Sequence, residues 1–130
     1  MATTQSLRVL VVDDELLLRW SLSEVLRRHG HTVVEAQSAS TTRQAINEGS
    51  GAIDVVLLDY RLPDSRNLDL LRDIRNRVPA AAVILMTASG IPDVVEDALA
   101  LGAYCVITKP FDMNAVEDMV QRAHRGMRPH

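Results

Sequence analysis

Five times along 130 residues, a short run of apolar and β-branched residues is followed by a stretch of helical period, and this alternation restricts the chain to an α/β architecture. "LRVLVV" (7–12) is continuous rather than alternating, as a strand covered on both faces requires. The next segment carries Leu18, Leu22, Val25 and Leu26 on one helical stripe and is closed by Gly30. "TVVEA" (32–36) predicts a second strand, followed by a helix with Ala45 and Ile46 that Ser38 or Ser40 caps and Gly49 terminates. "DVVLLD" (54–59) is the most apolar run and so predicts a central strand. Leu68, Leu71, Ile74 and Val78 then mark a helix stopped by Pro79. "AVILMT" (82–87) predicts the fourth strand, Pro92 suits the first turn of a helix ended by Gly102, and "AYCVIT" predicts the fifth strand. Met113, Val116, Val120 and Ala123 define a last amphipathic helix. Five β–α units predict one doubly wound, five-stranded parallel sheet with five flanking helices in a domain spanning 7–125. Residues 1–6 read as a disordered end, and 126–130 as a tail or the start of a linker.

Right-handed crossovers place the C-terminal ends of all parallel strands along one edge, where open α/β sheets bind their ligands. On that edge fall Asp13 and Asp14 after strand one, Asp59 after strand three, Thr87 at the end of strand four and Lys109 after strand five. An aspartate after a strand is commonly only a helix cap or turn former. A doubled acid with a lysine opposite it goes beyond capping. Three carboxylates about 4 Å apart repel by roughly 4 kcal/mol per pair at an effective dielectric of 20, and a hard divalent cation such as Mg²⁺ relieves that repulsion. The lysine and the hydroxyl suit phosphoryl oxygens. The rim therefore reads as a phosphoryl receiver with a carboxylate nucleophile, and Asp59 holds the central position. The acids are read as sharing no donor, so relief of repulsion outweighs any lost contact, and removing one of them, Asp13, is expected to raise the melting temperature of the metal-free domain.

The formal charge of −3 and the lack of a basic face argue against nucleic-acid binding by this chain. Cys105 is the single cysteine and lies inside a predicted strand, where it reads as an inert apolar residue. No cationic leader precedes a long apolar stretch, so a reducing cytoplasmic location without membrane insertion is expected. His29, His31, His124 and His130 lack paired metal-ligand spacing. Trp20 reads as a partly exposed packing residue, and Arg122, Arg125 and Arg128 as a solvated helix end. Pro110 follows Lys109, and a cis bond there would aim the lysine at the rim.

Four fragments in order, "VLVVDDE", "DVVLLDYRLPD", "ILMTA" and "TKPF", resemble the receiver domain of two-component response regulators over nearly the whole chain. The resemblance implies the flavodoxin-like strand order 2-1-3-4-5. It implies that a partner histidine kinase or phosphotransfer protein phosphorylates Asp59. Mg²⁺ would be held by Asp13, Asp14, Asp59 and the backbone carbonyl of Arg61, while Lys109 pairs with the phosphoryl group and Thr87 swings in to bond it. Only the domain's own phosphoryl transfer and slow autodephosphorylation are implied, not turnover of a separate substrate. An output domain or downstream protein would be reached through the face of helix four, strand five and helix five, and a phosphorylation-dependent dimer is compatible with that scheme. "LLLRWSL" in helix one looks like the nitrogen-regulatory subgroup that feeds sigma-54 activators.

Two positions depart from the family's pattern. Asn67 stands where a glycine is usual, and Val106 where an aromatic residue usually reports the activation state, with Tyr104 nearby. Without an aromatic latch, activation is expected to be read through the segment after Thr87 and helix four. Two other classes stay in view. A haloacid-dehalogenase-type hydrolase also forms an aspartyl phosphate, but it needs an acid where Arg61 stands. A flavodoxin-like cofactor carrier needs a hydroxyl- and glycine-rich loop where "DDELLL" stands.

Overall fold

A computed structural model of the chain describes residues 5–49, 51–65, 68–88 and 92–127. Within them, β1 (Arg8–Val12), β2 (Thr32–Ala36), β3 (Val55–Asp59), β4 (Ala82–Thr87) and β5 (Cys105–Thr108) form one parallel sheet in the order β2-β1-β3-β4-β5. The helices are α1 (Leu16–Arg28), α2 (Ala39–Asn47), α3 (Asp69–Arg77), α4 (Pro92–Ala100) and α5 (Val116–Met127), the last preceded by a 3₁₀ turn at Met113–Ala115.

The unbroken apolar runs are explained by a core on each side of the sheet. Val9, Val11, Val55, Leu57, Ile84 and Met86 pack with Leu22 and Leu26 of α1 and Val116, Val120 and Ala123 of α5. Their neighbours Leu10, Val12, Val56, Leu58, Val83 and Leu85 face the opposite way, onto Ala39 of α2, Leu71 and Ile74 of α3 and Ala98 of α4. Because alternate side chains point to opposite faces, a strand covered on both sides must be apolar at every position. β3 is the middle strand, and all five of its residues are buried.

Local chemistry sets the helix ends. Ser38, rather than Ser40, caps α2: its hydroxyl accepts from the Thr41 amide, and the Thr41 side chain reciprocates on the cap backbone. Gly30 and Gly102 carry positive φ just after α1 and α4, a conformation that costs glycine little. α5 runs to Met127, so Gly126 lies inside the helix rather than in a tail. Gln5 and Ser6, expected within the disordered end, are hydrogen-bonded: Gln121 Nε2 donates to the Gln5 carbonyl at 2.8 Å, and Ser6 Oγ donates to the Gly30 carbonyl at 2.7 Å. Residues 1–4 and 128–130 lie outside the described residues, and so does Asn67.

His31 is buried and structural. Its Nδ1 accepts from the Leu7 amide at 2.9 Å, which leaves the proton on Nε2 for Glu117 Oε1 at 2.5 Å. Through His31, which lies 86 residues from Glu117, the start of β1 is tied to α5. Among the described residues, no helix is long and apolar enough to cross a membrane.

Candidate functional site

The carboxyl ends of β1, β3, β4 and β5 bring the expected residues onto one rim. Asp13 follows β1 directly, and its amide continues the ladder by donating to the Ala36 carbonyl at 3.1 Å. Asp59 is the last residue of β3 and pairs in register with Met86, one position before Thr87 at the end of β4. Thr87 is buried and pairs with Thr108; its carbonyl accepts the Lys109 amide at 2.7 Å. Thr87 and Lys109 are thus carried on adjacent strand ends. The Lys109–Pro110 peptide is cis.

Asp13, Asp14 and Asp59 each offer a carboxylate oxygen, and these oxygens lie within 4.8 Å of one another. Asp13 and Asp59 are buried, whereas Asp14 is exposed. Hard, anionic oxygen donors clustered on the rim, two buried and one exposed, are the set a Mg²⁺ ion takes, so the residues present fit the expected metal. Arg61 lies two residues beyond Asp59, and its amide donates a long 3.4 Å bond to Asp59 Oδ1.

Lys109 is shared among three acids. Its Nζ lies 2.9 Å from Asp13 Oδ2, 3.2 Å from Glu15 Oε1 and 3.2 Å from Asp59 Oδ1. Burial opposes the ammonium charge, yet the hydrogen bond to Asp13 and the charges of Asp13 and Asp59 outweigh it and raise the lysine's pKa. Lys109 therefore stays charged at any physiological pH. Asp59 also has its pKa raised, up to about 6, which for a carboxylate disfavours the charge; burial is the main cause, then the Asp13 charge, with Lys109 partly compensating. At neutral pH it is still mostly ionised, the form a phosphoryl acceptor needs.

The geometry revises one expectation. Asp13 does share a donor with Asp59, because Lys109 bonds both. Asp13 also accepts from the Glu15 amide at 2.8 Å, and its own carbonyl accepts from Arg19 Nη1 at 2.8 Å. It is fully buried and serves as a structural anchor as well as a rim acid. Removing it therefore breaks contacts rather than only relieving repulsion. Glu15, the lysine's third partner, was not singled out by sequence reasoning, although the acid following the doublet in "VDDE" was a visible signal.

The remaining expectations resolve around the rim. Trp20 is 56% exposed on α1, beside Leu16 and Leu17, which are more exposed still. Cys105 is half-buried, and burial pushes its thiol pKa up, consistent with an inert residue. Arg122 pairs with Asp118 one turn back in α5 at 2.9 Å, and Arg125 lies in the last turn, where a cation suits the helix dipole. Val106 packs against the core cluster of α2, α3 and α4 as the register partner of Leu85. The Tyr104 ring lies over α5 so closely that a Cβ on Gly126 would come within 2.4 Å of Tyr104 Cε1.

Known proteins share this fold. The response regulator receiver domain family matches residues 9–121. The DNA-binding transcriptional regulator NtrC of Proteus hauseri is 36% identical over 115 residues, which are 88% of this chain and 24% of that protein. Response regulator protein FleR of Pseudomonas aeruginosa is 35% identical over 122 residues, 94% of this chain and 25% of that protein. The chain thus spans about a quarter of the length of the curated relatives it matches. Those relatives belong to the sigma-54 activator group that "LLLRWSL" suggested. Among solved structures, a receiver domain protein from Methanospirillum hungatei JF-1 superposes with a TM-score of 0.86 at 23% identity, covering 95% of this chain and 97% of that one, and so shares the fold. The receiver domain of NtrX from Brucella abortus gives a TM-score of 0.80 at 32% identity, covering 90% of this chain and 98% of that one. A buried aspartate at the end of the central strand, two further acids, a lysine between them and a match over most of the sequence lead to one conclusion: the chain belongs to the response regulator receiver domain family of two-component systems.

Proposed function

We propose that Asp59 accepts a phosphoryl group from a sensor histidine kinase or phosphotransfer protein, and that the domain changes conformation in response. The observation that carries this reading is the Lys109 ammonium 3.2 Å from the Asp59 carboxylate, inside a cluster of three metal-competent acids. An Asp59 oxygen attacks phosphorus, the new P–O bond replaces the donor's P–N bond, and the nitrogen lone pair returns to the donor imidazole. Asp13, Asp14, Asp59 and the Arg61 carbonyl would hold Mg²⁺, which when bound neutralises charge on the transferring group. Lys109 is placed to exchange a carboxylate contact for a phosphoryl oxygen without leaving the site, and Thr87 supplies a hydroxyl from the adjacent strand end. Hydrolysis of the acyl phosphate by water returns the domain to its resting state slowly. The haloacid-dehalogenase alternative has no acid at the Arg61 position to protonate a leaving group.

Output passes to an attached domain or a downstream protein through α4, β5 and α5, with phosphorylation-dependent pairing of two copies as one form of that output. Catalysis on a separate substrate and direct nucleic-acid binding are not part of this reading. A cytoplasmic location follows from a kinase donor that uses ATP.

Acetyl phosphate with Mg²⁺ tests the acceptor. Intact-protein mass spectrometry should show one added phosphoryl group in the unaltered chain and none in Asp59→Asn. An unchanged yield in Asp59→Asn would place the acceptor elsewhere.

A further inference from the structure

The loop that follows Asp59 is anchored at its far end by a side chain outside the described rim. Asp64 Oδ1 accepts from the Ala39 amide at 2.7 Å, and Asp64 Oδ2 accepts from the Ser40 amide at 2.9 Å. Ala39 and Ser40 open α2, whose first amides have no partner within the helix. Ser38 already satisfies the Thr41 amide, so Asp64 supplies the two bonds that the helix's own cap cannot reach. The two amide bonds also hold the Asp64 carboxyl below its ordinary pKa.

This contact closes a frame around Arg61. On one side, the Tyr60 amide donates to the Met86 carbonyl at 2.8 Å and extends the β3–β4 ladder past Asp59. On the other, Leu62 is buried and bridges to Ser65, making a turn with Pro63 and Asp64 at its tip. Between these anchors, and among the described residues, the Arg61 amide makes a long 3.4 Å bond to Asp59 Oδ1. We infer that Asp64, by clamping the Leu62–Ser65 turn onto the start of α2, is a positioning residue that aims the Arg61 carbonyl at the metal. This inference rests on the proposed Mg²⁺ site and names a residue that holds it in shape without touching the ion. Outer-shell groups of this kind change metal affinity by about ten-fold when removed.

The test compares two ways of weakening the α2 start. Asp64→Ala removes the clamp, Asp64→Asn keeps one acceptor, and Ser38→Ala removes the helix's own cap while leaving the loop contact in place. Mg²⁺ alone is titrated into the full chain and followed by amide NMR shifts, with thermal melts in metal-free buffer alongside. Asp64→Ala and Ser38→Ala should both lower the melting temperature. Asp64→Ala should weaken Mg²⁺ by about ten-fold, Asp64→Asn by less, and Ser38→Ala by less than two-fold. An Mg²⁺ affinity in Asp64→Ala equal to that of the unaltered chain overturns the inference, because buried Leu62 would then suffice to hold the loop. Equal weakening by Ser38→Ala also overturns it, since the effect would belong to α2 rather than to the clamp. Failure of the unaltered chain to bind Mg²⁺ at Asp13, Asp14 and Asp59 would instead remove the proposed metal site itself.

Discussion

Lys109 Nζ stands 2.9 Å from Asp13 and 3.2 Å from Asp59, one cation bridging two buried carboxylates, the first just beyond β1 and the second at the end of β3. The pairing is incomplete, because Asp14 and Glu15 add two more acids to the same rim. The metal-free site therefore carries a surplus of negative charge, and several outcomes depend on how that surplus is relieved.

Asp59 gives stability an inverted pH dependence. Its folded pKa, about 6, lies above its ordinary value of 3.8, so between those values the folded state holds a proton that the unfolded chain has released. Its contribution thus favours folding on the acid side and is lost as pH rises through about 6. Asp59→Asn should remove this component and stabilise the metal-free domain at pH 7 by on the order of 2 kcal/mol. Chemical denaturation of both proteins at pH 5 and pH 7.5 checks it: the gap between them should widen with pH. A gap that narrows would mean the Lys109 contact outweighs burial.

Asp14 and Asp13 should behave in opposite ways. Asp14 is exposed, so Asp14→Ala relieves repulsion at little cost and should raise the metal-free melting temperature by a few degrees, about 1 kcal/mol. The same substitution should weaken Mg²⁺, so the stabilisation that Mg²⁺ brings to the unaltered chain should largely vanish. Asp13→Ala should lower the melting temperature, by roughly 1–3 kcal/mol in stability, because the Glu15 amide and Lys109 lose a buried acceptor. Melting curves with and without Mg²⁺ separate the two residues.

Val106 predicts how the activated state is read. Valine has one dominant rotamer and cannot swing into space vacated by Thr87, so the response should appear in the segment 88–101, of which residues 89–91 lie outside the described residues. Moving a two-state equilibrium from 1:99 to 99:1 takes about 5.5 kcal/mol, which the phosphoryl contacts must mostly supply. NMR spectra with and without beryllofluoride should show the largest changes in α4, with the Tyr104 ring keeping its place over Gly126. A Tyr104 rotamer change with α4 unmoved would transfer the aromatic's role to Tyr104.

His31→Ala should be costly without touching the rim. It leaves the Leu7 amide and the Glu117 carboxylate without their buried partner, worth about 3 kcal/mol together, and opens a cavity beside α5. Denaturant unfolding should show the loss, whereas acetyl phosphate labelling of the folded fraction should be unchanged.

The elements, and every rim residue except Glu15, were legible in the sequence because both are written in local pattern. Continuous runs such as "VVLL" and "AVIL" specify strands buried on two faces, and parallel connections then force Asp13, Asp59, Thr87 and Lys109 onto one edge whatever the details. Tertiary structure decided the partnerships. Which acids share Lys109, and where Asp64 and His31 find their partners, depend on contacts between residues 24 to 96 apart in the chain. Such contacts leave no periodic trace, and a carboxylate that caps a distant helix has the same letter as one that binds metal. Asp13 shows the difference most clearly: its position after a strand was legible, but whether its removal stabilises or destabilises depends on distances of about 3 Å that only the packed sheet sets.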